Sequence, residues 1–279
     1  MEIAQTVADL RKHIAPWRKG DERVGLVPTM GALHQGHMAL VRAARAECDR
    51  VVASVFVNPK QFAPTDDLAS YPRREAADLE MLRSGGVDLV FIPALDEMYP
   101  PDFATLVRVS GLTDGLCGAH RAGHFDAVTT VVTKLLIQAL PDIVYFGEKD
   151  YQQLTVVRRL ARDLDIPVSI AGVPTVREAD GLALSSRNVY LSAEERRVAP
   201  NLGRVLRSIA AALAQDPTAV AREVARGSAA LQKAGLEVEY LEIREAETLA
   251  VTSKATTSSR VFAAVRLGMT RLIDNMPIG

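Results

Sequence analysis

The chain has 279 residues, 48 % hydrophobic and 24 % charged, an ordinary globular composition long enough for two unequal domains. Its 33 Lys and Arg against 34 Asp and Glu leave no basic surplus for a nucleic-acid or membrane surface, so any anion site must be built locally. Two cysteines, Cys48 and Cys117, exclude a disulfide framework beyond one bridge and show no zinc spacing.

An N-terminal helix carries His13, read as structural or solvated. The apolar run Val24–Val27 predicts a buried strand, and Gly36–Cys48 a helix. Between them stands Pro28-Thr29-Met30-Gly31-Ala32-Leu33-His34-Gln35-Gly36-His37. Next come strand Val51–Val57, the segment Asn58-Pro59-Lys60-Gln61-Phe62, helix Leu68–Arg83 and strand Leu89–Ile92. Helix Phe125–Ala139, strand Ile143–Phe146, the segment Gly147–Gln153, helix Tyr151–Leu164 and strand Val168–Val173 follow. Several of these strands are near-continuous apolar runs, as expected when both faces of a parallel sheet are covered. Strand alternating with helix predicts an α/β fold with a Rossmann-like, doubly wound parallel sheet. Ligands then sit beyond the C-terminal strand ends.

The pattern changes near residue 175. Helices Ala193–Gln215 and Thr218–Ala234 precede strands Val238–Ile243 and Val261–Val265, with a turn over Thr252–Arg260. A smaller C-terminal α+β domain is expected over 176–279, after a nucleotide-binding domain over 1–175. Val128–Leu140, the longest apolar-rich segment, is too short and too polar to span a bilayer. The start, Met1-Glu2-Ile3-Ala4-Gln5, lacks a basic region before an apolar one. A cytoplasmic protein is the expectation, with neither nucleic acid nor membrane as partner.

The segment from Met30 to His37 carries the strongest chemical signal. Backbone N–H groups at a helix N-terminus favour phosphate, and Gly31 and Gly36 permit close backbone approach. His34 and His37 are positioned to donate hydrogen bonds as phosphate charge develops. Two structural histidines or half a metal site are the alternatives; no acidic residue lies inside the motif to complete the latter. In Gly147-Glu148-Lys149-Asp150, Lys149 suits phosphate, and Asp150 suits a ribose hydroxyl, a Mg²⁺ water or the helix N-terminus. The plainer account is a solvated lysine between two dipole-favouring acids. Leu184-Ser185-Ser186-Arg187 is a compact donor cluster or a capped turn. Asn58 and Gln61 are neutral amides suited to hydroxyl and carboxylate groups, or the end of a strand at a proline turn. His120, Arg121 and His124 belong equally well to a site or to a loop entering a helix. Neither cysteine has a neighbouring base in sequence, which argues against a nucleophile.

Taken together and in order, these segments resemble the pantoate–β-alanine ligase family, which belongs to the His-x-Gly-His nucleotidyltransferases. The resemblance runs through Pro-Thr-Met-Gly-Ala-Leu-His-Gln-Gly-His, Phe-Val-Asn-Pro-Lys-Gln-Phe, Gly-His-Phe, Phe-Gly-Glu-Lys-Asp-Tyr-Gln-Gln-Leu, Leu-Ser-Ser-Arg-Asn and the terminal Arg271-Leu272-Ile273-Asp274-Asn275. It implies that pantoate and β-alanine are joined at the expense of ATP, through pantoyl adenylate, with release of AMP and pyrophosphate. It also implies a catalytic set of His34, His37, Lys149 and Arg187. ATP would be held by Met30, Gly31, Ala32, Leu33, His34, Gln35, Gly36, His37, Gly147, Glu148, Lys149, Asp150, Val176, Leu184, Ser185, Ser186 and Arg187. Pantoate would be held by Asn58, Gln61 and Gln153, with Gln61 also near β-alanine. Mg²⁺ is expected with ATP rather than in an all-protein site, and a homodimer is expected. Three positions depart from the family pattern: Gln35 replaces an acidic residue, Ala122 a proline and Ala127 a glycine, the last beside the pantoate wall. The rival readings are another His-x-Gly-His adenylyltransferase and a non-catalytic nucleotide-binding regulator.

Overall fold

The computed structural model describes residues 1–63 and 68–279. Strands β1 (Glu2–Ala4), β2 (Val24–Thr29), β3 (Arg50–Val55), β4 (Leu89–Phe91), β5 (Ile143–Gly147) and β6 (Ser169–Val173) form one sheet in the order β1-β4-β3-β2-β5-β6. Every pairing in it is parallel. Helices α1 (Val7–Lys19), α2 (Gln35–Glu47), α3 (Glu75–Ser84), α4 (Leu95–Met98), α5 (Cys117–His120), α6 (His124–Ala139) and α7 (Tyr151–Asp163) connect these strands.

The period-2 geometry of the strands divides the core into two layers. Leu26, Val52, Phe91 and Val144 join Leu10, Val131, Leu135 and Leu160 on the face covered by α1, α6 and α7. Val27, Val51, Val90 and Tyr145 join Met38, Val41 and Leu82 on the face covered by α2 and α3. Gly25 lets α2 approach the sheet: a Cβ there would stand 3.0 Å from Cys48 Sγ and 3.2 Å from the Tyr145 ring.

Beyond β6 the chain forms α8 (Ala193–Val198), α9 (Asn201–Gln215) and α10 (Val220–Lys233). An antiparallel sheet follows, β7 (Glu237–Glu245), β8 (Ser259–Leu267) and β9 (Thr270–Pro277) in that order. Leu206, Ile209, Leu213 and Leu231 bury against Leu241, Val261 and Val265 in a core separate from those of the large sheet. No helix among the described residues is long and apolar enough to cross a membrane.

Four elements depart most from those expected. Helix α3 starts at Glu75 rather than Leu68, because Pro72 disfavours helical geometry at Tyr71. The helix expected over Ala193–Gln215 is two, divided at Ala199–Pro200, where proline lacks the N–H that a continuous helix needs. β1 was missed because three residues on a sheet edge carry too little pattern. β9 was missed because Asp274 and Asn275 are each 3 % exposed, which hides its apolar signal.

Candidate active site

The chain runs outward from β2 to β3 and β4, then crosses to β5 on the other side of β2. That reversal opens a crevice beyond the C-terminal ends of β2 and β5. A cleft of about 260 Å³ lies there, near the lower end of the roughly 300–1,000 Å³ usual for small-molecule sites. Fifteen of the residues singled out from sequence line it: Met30, His34, Gly36, His37, Asn58, Gln61, Gly147, Lys149, Asp150, Gln153, Val176, Leu184, Ser185, Ser186 and Arg187.

The turn after β2 is set by contacts that local sequence does not reveal. Thr29 Oγ1 donates to the Ser54 carbonyl at 2.7 Å and accepts from Gly31 N–H at 3.2 Å. Gly31 (φ 78°) and Ala32 (φ 50°) take left-handed backbone. The buried carboxylate of Asp78, from α3, accepts the N–H groups of Ala32 and Leu33, both at 2.8 Å. Those two amides are therefore committed to Asp78. The two imidazoles of this turn line the cleft.

His34 and His37 cap α2 reciprocally. His34 Nδ1 accepts from Gly36 N–H at 3.1 Å, and His37 Nδ1 accepts from His34 N–H at 3.2 Å. An Nδ1 that accepts cannot carry the proton of a neutral ring, so each ring presents Nε2–H as its donor. The rings lie 4.1 Å apart, centroid to centroid. Gly36 makes room for this: a Cβ there would stand 2.7 Å from His34 Cε1. Burial, then the Lys149 charge, holds His34 down to about 4, against the opposing effect of Asp150. Burial, then His34 and Lys149, holds His37 down to about 3. Both histidines are thus neutral donors at neutral pH.

That neutrality has a consequence for stability. Between the ordinary value of 6.5 and the native values of about 4 and 3, the unfolded chain binds protons that the folded chain does not. Stability from these rings is complete above pH 6.5 and is lost as pH falls through that window. Replacing both by glutamine is expected to shallow the fall of Tm between pH 6.5 and pH 4 relative to wild type. Parallel Tm profiles would show that the rings are not held neutral.

The opposite wall comes from β5 and α7. Lys149 sits on the three-residue 3₁₀ turn Glu148–Asp150, its side chain 19 % exposed. Gln153 faces the cleft, whereas its neighbour Gln152 is buried and accepts from Cys117 N–H at 3.0 Å while donating to the carbonyls of Leu112 and Gly115. On the β3 side, Asn58 Nδ2 donates to Gln61 Oε1 at 3.1 Å, and Gln61 Nε2 reaches Met30 Sδ at 3.0 Å. His124 Nδ1 and Arg121 Nη2 meet the Gln61 carbonyl at 2.9 and 3.2 Å, so the loop before α6 belongs to the site. His120 does not line the cleft and packs on Tyr240. From the C-terminal side, Ser186 Oγ donates to the Ala32 carbonyl at 3.0 Å, Ser185 caps the following turn, and Arg187 lies over the Tyr71 ring. Leu184 N–H donates to the Val176 carbonyl at 3.0 Å.

Gly31, Ala32, Leu33, Gln35 and Glu148 are not among the lining residues; Gln35 is exposed, and Glu148 pairs with Arg260 at 3.4 Å. The sequence reading missed Tyr71 and the apolar wall of Val128, Val131, Val132 and Leu135. Only the apolar stripe of α6 hinted at that wall, and a stripe does not say what it faces. Both cysteines are buried free thiols, and burial pushes the Cys48 thiol up. Among the described residues no group of three or more His, Cys, Asp or Glu could hold a metal. Among the same residues, Asp150 is the one acidic side chain that lines the cleft.

A sequence model described as pantoate-beta-alanine ligase matches residues 2–277. The pantothenate synthetase of Caulobacter vibrioides is 55 % identical over 282 residues, covering 99 % of this chain and 98 % of the relative. The crystal structure of pantothenate synthetase from Thermus thermophilus superposes with TM-score 0.95 at 50 % identity, covering 100 % of this chain and 99 % of that one. A pantoate-beta-alanine ligase from Francisella tularensis, solved in complex with beta-gamma ATP and beta-alanine, gives TM-score 0.84 at 33 % identity, covering 99 % and 97 %.

Proposed function

The chain belongs to the pantoate–β-alanine ligase family, and from that premise we propose that its cleft joins pantoate to β-alanine in two steps at the expense of ATP. In the first, a pantoate carboxylate oxygen attacks the α-phosphorus, and the bond to pyrophosphate breaks. In the second, the neutral amine of β-alanine attacks the acyl carbon, AMP leaves, and the amine loses a proton. The observation that carries this reading is the convergence of two Nε2–H donors, Lys149 and Arg187 on a cleft that also presents Asn58, Gln61 and Gln153.

Attack of a carboxylate on a polyphosphate brings two anions together. Positioning and electrostatics matter more there than a covalent nucleophile. His34 and His37 donate to phosphate oxygens through Nε2–H, with His37 nearest the developing charge. Lys149 supplies a fixed cation, and Ser185, Ser186 and Arg187 hold the phosphates from the C-terminal side. Val176 meets the adenine or the ribose through its backbone. The remaining ATP contacts are Met30, Gly36, Gly147, Asp150 and Leu184, which line the cleft. Gln61 and Gln153 take the hydroxyl and carboxylate groups of pantoate without adding charge, with Asn58 holding Gln61. The apolar wall of α6 suits the dimethyl carbon. Mg²⁺ carried in with ATP would be held from the protein side by Asp150, the acidic lining residue among those described, and would neutralise phosphate charge.

Residues 1–175 act as the nucleotide and pantoate domain and 176–279 as a cover that keeps water from the mixed anhydride; a C-terminal core of its own supports that division, and a buried cluster packing Tyr240 and Phe262 on Phe125 and Val156 joins the two parts. A homodimer is proposed on the family resemblance alone, and a cytoplasmic location on the sequence features given above.

Exchange of labelled pyrophosphate into ATP is expected to require pantoate and not β-alanine. Exchange without pantoate, or none from folded protein, would sink the two-step scheme. Truncation of the pantoate contacts has its own signature. A buried polar group left unpaired costs about 1–3 kcal/mol. Gln61→Ala and Gln153→Ala are therefore expected to lower kcat/KM for pantoate by about 5- to 150-fold with ATP affinity little changed. An equal fall in ATP affinity would place both glutamines with the nucleotide or the fold instead.

A further inference from the structure

The C-terminal sheet reaches the phosphate side of the cleft through Asn275. This β9 residue is 3 % exposed. Its Nδ2 donates to the Glu148 carbonyl at 2.8 Å and to the Lys149 carbonyl at 3.0 Å. Its Oδ1 accepts from Arg260 of β8, from Nε at 3.0 Å and from Nη2 at 2.7 Å. Both amide hydrogens and both oxygen lone pairs are used, which fixes which way the amide points. Arg260 lies 3.9 Å above the centre of the Tyr151 ring, and its Nη2 reaches Glu148 Oε2 at 3.4 Å.

The preceding residue ties down the other side of the cleft. Asp274 accepts from Arg177 at 2.6 and 2.8 Å, and its Oδ1 also takes Asn275 N–H at 2.8 Å. Arg177 follows the cleft-lining Val176 and donates to the Gly181 carbonyl at 3.1 Å. One corner of β9 thus holds both the strap from 174 to 184 and the turn that carries Lys149.

That turn has little to hold it by itself. It is three residues of 3₁₀ helix without a side-chain cap. A lysine reaches its target along a flexible stem, so the place of its backbone governs where the ammonium stands. We infer that Asn275, backed by Arg260 and Asp274, is a positioning residue for adenylation: it fixes the backbone from which Lys149 meets the transferring phosphate and does not itself touch substrate. The inference rests on the phosphate role proposed above for Lys149.

Asn275→Asp tests it. The change is isosteric and keeps an acceptor for Arg260, but it turns an oxygen onto two carbonyls. Single-turnover adenylation is expected to fall by up to about 10²-fold, as for a misplacement of about 1 Å. A cycle with Lys149→Ala separates this role from a merely structural one. A residue that acts through Lys149 costs little more once Lys149 is gone, so the double variant is expected to match Lys149→Ala. If Asn275→Asp does not fold, Asn275→Ser, which keeps one donor, takes its place in the cycle. Wild-type adenylation in the Asn275 variant beside a slow Lys149→Ala overturns the positioning role alone. The same fold-loss in both backgrounds also overturns it. Wild-type adenylation by Lys149→Ala removes the phosphate role of the lysine, and the inference with it.

Discussion

Lys149→Ala is expected to slow adenylation by about 10²–10³-fold, a loss of about 3–4 kcal/mol of transition-state stabilisation. The lysine is largely withdrawn from water and close enough to both imidazoles to depress their proton affinity. A cation so placed meets developing phosphate charge with little screening. The carboxylate of Asp150 lies 4.0 Å from Nζ, so the ammonium keeps a counter-ion without being locked to it. A second readout is independent of activity. Removing the lysine charge removes one cause of the lowered His34 value, so the His34 ring is expected to titrate at higher pH in the variant. Single-turnover adenylation at the wild-type rate, with His34 titrating unchanged, would show that Lys149 faces neither phosphate nor imidazole.

His37→Ala should cost a similar factor, about 10²–10³ in adenylation. The more telling substitution is His37→Gln. In the free cleft the His37 ring is neutral, with Nδ1 occupied by His34 N–H and Nε2–H left to donate. A glutamine amide is also a neutral donor at a similar reach. His37→Gln is therefore expected to retain clearly more activity than His37→Ala. If both are equally slow, the chemistry needs an imidazolium, and the neutral-donor account of the site fails. Alanine also deletes half of the reciprocal cap on α2, which costs about 1 kcal/mol of stability, so folding is checked by circular dichroism before rates are compared.

The two histidines show how a sequence motif and its surroundings divide the work. The spacing His34-x-Gly36-His37 is sufficient to place both rings on the first turn of α2, and Gly36 has a reason visible once the rings are in place. Their protonation is another matter. It depends on burial by the rest of the cleft and on Lys149, more than a hundred positions along the chain. The same limit applies to the turn before them. Gly31 announces a sharp turn, but the carboxylate that satisfies the Ala32 and Leu33 amides comes from Asp78, which local pattern gives no reason to choose.

The sequence by itself determined the alternation of apolar strands and helices, hence the doubly wound sheet and the strand ends at which the cleft opens. It marked half of the lining residues as well, some because glycine, amide and basic residues directly after an apolar strand have few other uses, and others, Val176 among them, only through the family resemblance. Periodicity is a local property, and these features are local. Only the tertiary structure decided that the loop from Arg121 to His124 turns its side chains onto Gln61. It alone showed that Gln152, beside the expected Gln153, holds the backbone around Cys117. It alone brought Asn275 beneath Lys149. Such choices are made by hydrogen bonds between groups far apart in the chain. A buried amide or carboxylate is placed by whatever partner packing brings within about 3 Å of it, and no pattern along the chain records that partner.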